Sequence, residues 1–128
     1  MTIDAFMTAS PHTIGAAQPL SVAREMMSQY SLGHLPCVEF GRLVGMLSER
    51  ELDLLESVPE INIETTPVSR GMTRQTFNVA PTDSLHDVAT AMTDREVGSA
   101  VVSRLGDVVG VFTPGDALRA LAALTKAP

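Results

Sequence analysis

Residues Gly106 to Asp116 read Gly-Asp-Val-Val-Gly-Val-Phe-Thr-Pro-Gly-Asp, and Gly41 to Glu51 read Gly-Arg-Leu-Val-Gly-Met-Leu-Ser-Glu-Arg-Glu. Each is an apolar run entered through a glycine and closed by a hydroxyl residue with a carboxylate three positions later. The copies lie 65 residues apart, as Gly110 follows Gly45. The same offset places Met7-Thr8 on Met72-Thr73, Leu20 on Leu85, Met27 on Met92 and Gly33 on Gly98 without a gap. The chain is a tandem repeat, and the copied unit sets the architecture.

The 128 residues make one ordinary domain, or two half-domains that each have too little core alone. With no Trp and one Tyr, the core is built from aliphatic residues and Met. A formal charge of -6 and a single Lys, Lys126, argue against a nucleic acid or an anionic membrane as the main partner, since both need clustered cations, and leave room for a local cationic pocket built from Arg. Cys37 lies in an apolar run and reads as a buried small hydrophobe, with no disulfide implied. No basic-then-apolar leader and no run of 18 apolar residues occurs, so the cytoplasm is the expected location.

Taken in order, Met1 to Ala9 suggests a short helical lead-in, and Ser10 to Pro19 a loop with one short strand near Thr13-Ile14. Leu20, Ala23, Met26 and Met27 recur at helical spacing, with Gly33 as the stop. Leu35 to Phe40 and Arg42 to Leu47 read as strands joined by a tight turn at Phe40-Gly41. Ser48 and Glu51 form a capping-box pattern ahead of Leu52, Leu54 and Leu55. Glu56 to Arg70 is the linker, in which Val58, Ile61, Ile63 and Val68 suggest a short strand laid across the other half.

The second half repeats the order: a strand at Thr76 to Val79, a helix capped by Asp83 or Ser84, a stop at Gly98, two strands around Gly106, and a last helix capped by Thr113 with Pro114 in its first turn. The fold class is therefore α/β, of the α+β-like kind, with strand-helix-strand-strand-helix in each half and an internal pseudo-twofold. The division is 1–57 for the first motif with its lead-in, 58–71 for the linker and 72–128 for the second motif, the two packing as one module.

The halves resemble two CBS motifs, the pair often called a Bateman module. The resemblance rests on the Met-Thr opening, the Leu-rich helix, His-Leu-Pro-Cys-Val at His34 to Val38 and Gly-Val-Phe-Thr-Pro-Gly-Asp at Gly110 to Asp116. It implies binding of AMP, ADP, ATP or S-adenosylmethionine in clefts between paired motifs, through a Gly-x-x-Thr/Ser-x-x-Asp pattern whose Asp takes the ribose hydroxyls. That pattern falls on Gly110, Thr113 and Asp116, and on Gly45, Ser48 and Glu51, where the extra methylene of Glu51 ranks the first site below the second. It also implies that Ile14, Asn78 and Val79 line the clefts, with His34 and Ser99 at the turn where a basic residue can meet phosphate. The residues themselves support an anion site in one respect, because a helix start presents unsatisfied amides beside the capping hydroxyl. The same residues also describe an ordinary capped helix.

Arg50, Arg70, Arg74, Arg95 and Arg119 are further phosphate candidates. No Gly-rich loop with a Lys is present, and His12, His34 and His86 have no metal-ligand spacing. Cys37 and His34 make a poor dyad, so no catalytic residue and no metal are expected. The expectation is a regulatory, non-enzymatic module that senses an adenosine nucleotide; the alternative is a ligand-free structural or interaction module acting by dimerisation. A homodimer is expected, with Met26, Met27, Ala91 and Met92 as interface or core. A chain this short leaves the regulated target to a separate effector protein, unless it is a piece of a longer one.

Overall fold

The computed structural model describes residues 1–9 and 12–127; Ser10 and Pro11, at the start of the expected loop, and Pro128 lie outside the described residues. In chain order the elements are a 3-10 turn Ile3–Ala5, β1 Thr8–Ala9, β2 Ile14–Gly15, α1 Leu20–Tyr30, β3 His34–Glu39, β4 Arg42–Ser48, α2 Glu49–Glu56, a 3-10 turn Val68–Arg70, β5 Asn78–Val79, α3 Leu85–Arg95, β6 Ala100–Arg104, β7 Asp107–Phe112 and α4 Pro114–Leu124. Each half has the strand-helix-strand-strand-helix order. By contact the chain forms two compact units, His12–Thr76 and Met1–Pro11 with Phe77–Pro128. The repeat divides the sequence at 57 and 72, whereas each unit takes the body of one motif and the Met-Thr opening of the other.

In the His12–Thr76 unit the sheet order is β2-β3-β4, with β2 parallel and β4 antiparallel to β3. Leu20, Ala23 and Met27 line one face of α1 and are buried with Ile14, Leu35, Cys37, Leu47 and Leu52. Helix α1 has no side-chain cap. Its first amides instead donate to linker carbonyls, Leu20 to Thr66 and Ser21 to Ile63, each at 2.9 Å. This docks the linker on the core of its own unit: Val68 is buried there and Ile61 and Ile63 pack against it. The strand expected across the other half is not formed by the described residues, because these side chains find their apolar partners locally. Arg24 of α1 ties the unit's two helices, reaching Asp53 at 2.6 Å and Glu56 at 2.8 Å. The hydrogen bonds that Arg24 donates to Glu56 and Asp53 push its pKa up.

In the other unit the sheet order is β1-β7-β6-β5. Ile3, Val79, Val88, Met92, Ala100, Val102 and Phe112 form its core. The lead-in is not the helix expected. After one 3-10 turn it becomes β1, antiparallel to β7 with Thr8 opposite Val111 and Ala9 opposite Gly110. Met1 helps start α3, its carbonyl accepting from Leu85 N at 3.0 Å. Met27 and Met92 are both core residues.

Two local corrections recur at the repeat offset. The first helix of each half stops at a residue in the left-handed region, Ser31 (φ 55°) and Glu96 (φ 55°), before the glycines expected to end it. Both hairpins turn through two positive-φ residues, Phe40-Gly41 and Leu105-Gly106, the geometry that matches strand twist. No helix among the described residues is long and apolar enough to cross a membrane.

Gly45 and Gly110 are fixed by close approach. A Cβ on Gly45 would meet Met72 Sδ at 2.7 Å and the Thr73 carbonyl oxygen at 2.9 Å; on Gly110 it would strike Met7 Sδ and lie 3.0 Å from the Thr8 carbonyl oxygen. A side chain there would lift the Met-Thr segment from its strand. Gly110→Ala is expected to cost about 1–3 kcal/mol of overpacking. Gly33→Ala, whose Cβ meets nothing within 4 Å, should stay within about 0.5 kcal/mol of wild type. Urea unfolding of the two variants checks both values.

Candidate functional site

Strand β7 ends at buried Phe112, and Thr113 leaves the strand in extended conformation to cap α4. Thr113 and Asp116 form a reciprocal capping box: Asp116 N–H donates to Thr113 Oγ1, while Asp116 Oδ2 accepts from Thr113 N at 3.0 Å and from Thr113 Oγ1 at 3.2 Å. The other oxygen, Oδ1, accepts from Thr8 Oγ1 at 2.9 Å and pairs with the Arg119 guanidinium. A carboxylate has about four acceptor positions, so Asp116 is filled. Its side chain is only 2% exposed, so it presents no open face to solvent.

The first half builds the same object. Glu51 Oε1 accepts from Ser48 N at 3.2 Å and Ser48 Oγ at 2.9 Å, and Oε2 accepts from Thr73 Oγ1 at 2.8 Å. The extra methylene was expected to displace this acid, yet it reaches the same classes of partner. Glu51 is half-buried, and no cation pairs with it among the described residues.

Thr8 and Thr73 join the two caps without having been singled out from the sequence. The repeat offset had matched them, 8 with 73, but only contact shows that each reaches a carboxylate. Arg119 was one of five arginine candidates, and the structure seats it on Asp116. Arg95 lies over the Phe77 ring, 4.5 Å from its centroid. Arg50, Arg70 and Arg74 are exposed.

The remaining candidates divide by environment. His34 opens β3 opposite Ser48 in register, which places it beside the first cap. Burial pushes its pKa below the usual 6.5, with Glu51 acting in the opposite direction. Ser99 is half-buried immediately before Ala100, the partner of Phe112. Ile14 and Val79 are core side chains, at 3% and 8% exposure. Their strands β2 and β5 are sheet edges, so what they can offer a ligand is main-chain polar groups. Asn78, beside Val79, is exposed.

Cys37 is fully buried, its thiol pushed up to about 12 by desolvation. Such a thiol supplies no nucleophile. His12 stacks on Tyr30 with centroids 3.8 Å apart, and His86 is exposed on α3. No cluster of three or more metal-ligating side chains occurs among the described residues.

Two measurements follow from these environments. The folded-state pKa of His34 lies below its unfolded value, so between the two the unfolded chain binds more protons and stability rises with pH. His34 should therefore remove stability as pH falls from above 6.5, and the difference in unfolding free energy between wild type and His34→Asn, followed from pH 7.5 to 5, should shrink or reverse on the acid side. Cys37 should resist iodoacetamide at pH 8 in the native chain and react once urea unfolds it; prompt labelling of the folded chain would contradict its burial.

A sequence model of the CBS domain family matches residues 3–54 and 67–123. The CBS domain-containing protein YhcV of Bacillus subtilis (strain 168) is 29% identical over 110 residues, covering 86% of this chain and 78% of YhcV. Among solved structures, the CBS domain pair of protein MJ0100, in complex with 5′-methylthioadenosine and S-adenosyl-L-methionine, superposes with a TM-score of 0.86 at 19% identity over 98% of both chains. CBSX2 in complex with AMP gives 0.83 at 23% identity, also over 98% of both. The two matched segments, each ending in the capped helix described above, make this chain a member of the CBS domain family.

Proposed function

We propose that this chain is a regulatory module that binds an adenosine-containing ligand and performs no catalysis of its own. The observation that carries the reading is the duplicated cap, Thr113 with Asp116 and Ser48 with Glu51, in which a hydroxyl and a carboxylate share the start of a helix in each half. A helix start favours an anion, and a carboxylate accepts from a ribose diol. Likeness to the complexes of MJ0100 and CBSX2 supports adenosine as the common part of the ligand, with AMP, ADP, ATP and S-adenosylmethionine as the candidates. On this reading Ile14, Asn78, Val79, His34 and Ser99 line the remaining walls. Binding acts by changing shape or affinity for a separate effector protein.

A homodimer belongs to the same proposal. Helix α4 leaves Leu118, Leu121 and Leu124 exposed, and Leu121 and Leu124 border a groove of about 440 Å3 that Leu85 and Ala89 of α3 line from the other side. Such a face is suited to a second copy.

One observation favours a ligand-free structural role instead: Asp116 is buried and its acceptor positions are filled from within the chain. Calorimetric titration with the four candidates separates the readings. At least one should bind saturably, and Asp116→Ala should weaken it at least about tenfold through loss of hydrogen bonds to a charged group. Heat from none of the four moves the function to the structural role, and binding indifferent to Asp116→Ala removes that residue from the site.

A further inference from the structure

The repeat supplies its own comparison for the second-half site. Position 119 is Arg, and the residue 65 places earlier is Leu54. The other members of the two caps match in kind: Thr113 with Ser48, Asp116 with Glu51 and Thr8 with Thr73. The side chain of Arg119 is 70% exposed, yet its guanidinium turns back onto Asp116 Oδ1. It also lies beside the first turn of α4, where a Cβ on Gly115 would meet Arg119 Nη1 at 3.6 Å and Thr113 Oγ1 at 3.7 Å. Arg119 thus occupies an acceptor position of the carboxylate and lies beside the helix start. These are the two features that a ribose diol and a phosphate would use.

The energetic consequence depends on what the incoming ligand returns. Only the Asp116 end of this pair is buried; losing the guanidinium leaves the carboxylate with its neutral donors from Thr8 and Thr113, one acceptor position empty, and an unsatisfied position on a buried charged group is costly. A diol donates hydrogen bonds to the carboxylate and compensates part of that loss. The displaced guanidinium then needs an anion, and phosphate matches its planar fork with two parallel hydrogen bonds. A thioether at the same end of the ligand provides no acceptor of comparable strength, and a sulfonium places a like charge there, with its methionyl carboxylate further out.

We propose that Arg119 determines the ligand class of the second-half site, selecting adenosine ligands that carry a phosphate over those whose 5′ substituent is neutral or cationic. The guanidinium exchanges one anion for another when a phosphate-bearing ligand enters. The first-half site has a hydrocarbon, Leu54, in place of this resident cation, and the basic group beside its cap is His34 instead, so the exchange belongs to the second half. The inference rests on the adenosine-binding reading above and adds the charge of the ligand to it.

The test is titration of the full chain with AMP and with 5′-methylthioadenosine, using wild type, Arg119→Leu, Arg119→Lys and Asp116→Ala. Binding lost in Asp116→Ala is assigned to the second half. There, AMP should bind at least about tenfold tighter than 5′-methylthioadenosine, the scale of one charge-assisted hydrogen-bond set. Arg119→Leu should bring the ratio toward one by weakening AMP and tightening the thioether, and Arg119→Lys should retain part of the preference. Thermal melts establish that each variant is folded, and Arg119→Lys, which keeps a cation beside Asp116, carries the test if Arg119→Leu does not fold. An unchanged ratio in a folded Arg119→Leu or Arg119→Lys that still binds AMP through Asp116 overturns the proposal and leaves adenosine binding standing. Binding of neither compound to the wild-type chain overturns both.

Discussion

A carboxylate placed out of water at the start of a helix must be met by donors, or it destabilises the fold it sits in. Asp116 meets that condition with Thr8, Thr113 and Arg119. These donors come from a strand end, a helix turn and a lead-in more than a hundred residues earlier in the chain, so satisfying one acid fixes where each piece lies. Glu51 does the same with Ser48 and Thr73. The composition of the two compact units follows, because a Met-Thr opening is held by the acid of the other motif's cap and by a glycine that leaves room for it. Neither contact works without the other. Without the glycine the threonine is lifted away, and without the threonine the carboxylate loses a donor.

Duplication has left the two halves equal in backbone and unequal in side chains. Backbone equality extends to small irregularities: the register shift between β3 and β4 falls at Cys37/Val38, and that between β6 and β7 at Val102/Ser103. The helix pairs differ sharply. In the first half Arg24 bridges to Asp53 and Glu56. The residues 65 places on are Ala89, Leu118 and Leu121, which leave hydrocarbon where the first half has ion pairs. Exposed ion pairs contribute little to stability, so this difference concerns what each face can meet more than how firmly each half folds.

Much of this was legible in the sequence because it is local or repeated. Both capping boxes have their partners three residues apart, and both hairpins announce themselves through Gly41 and Gly106. The misread pieces were those whose conformation is set by distant contacts. Met1 to Ala9 has apolar residues at a spacing a short helix would use, but a two-residue strand has too little pattern to declare which sheet it joins. Ile61, Ile63 and Val68 announced burial without saying on which core. Ser31 and Glu96 end their helices at left-handed φ, a conformation their side chains tolerate but do not signal. Thr8 and Thr73 were visible as a matched pair and carried no chemistry until the acids facing them were known.

The ranking of the two candidate sites changes its physical basis as a result. Sequence alone distinguishes them by Asp116 against Glu51, a difference of one methylene. Folding absorbs that methylene, since both acids close a capping box and both receive a lead-in threonine. What separates the caps is the residue three positions further on, Arg119 against Leu54, which leaves one carboxylate paired with a cation and the other, among the described residues, not; on the proposed reading this decides how a ligand would enter each. An acid with a resident cation binds by exchange, and its selectivity depends on what the displaced cation finds. An acid without one binds by addition and depends mainly on its own desolvation. If both caps bind adenosine as proposed, two sites copied from one ancestor would in this way answer to different ligands while keeping the same kinds of group, a hydroxyl and a carboxylate, at the shared helix start.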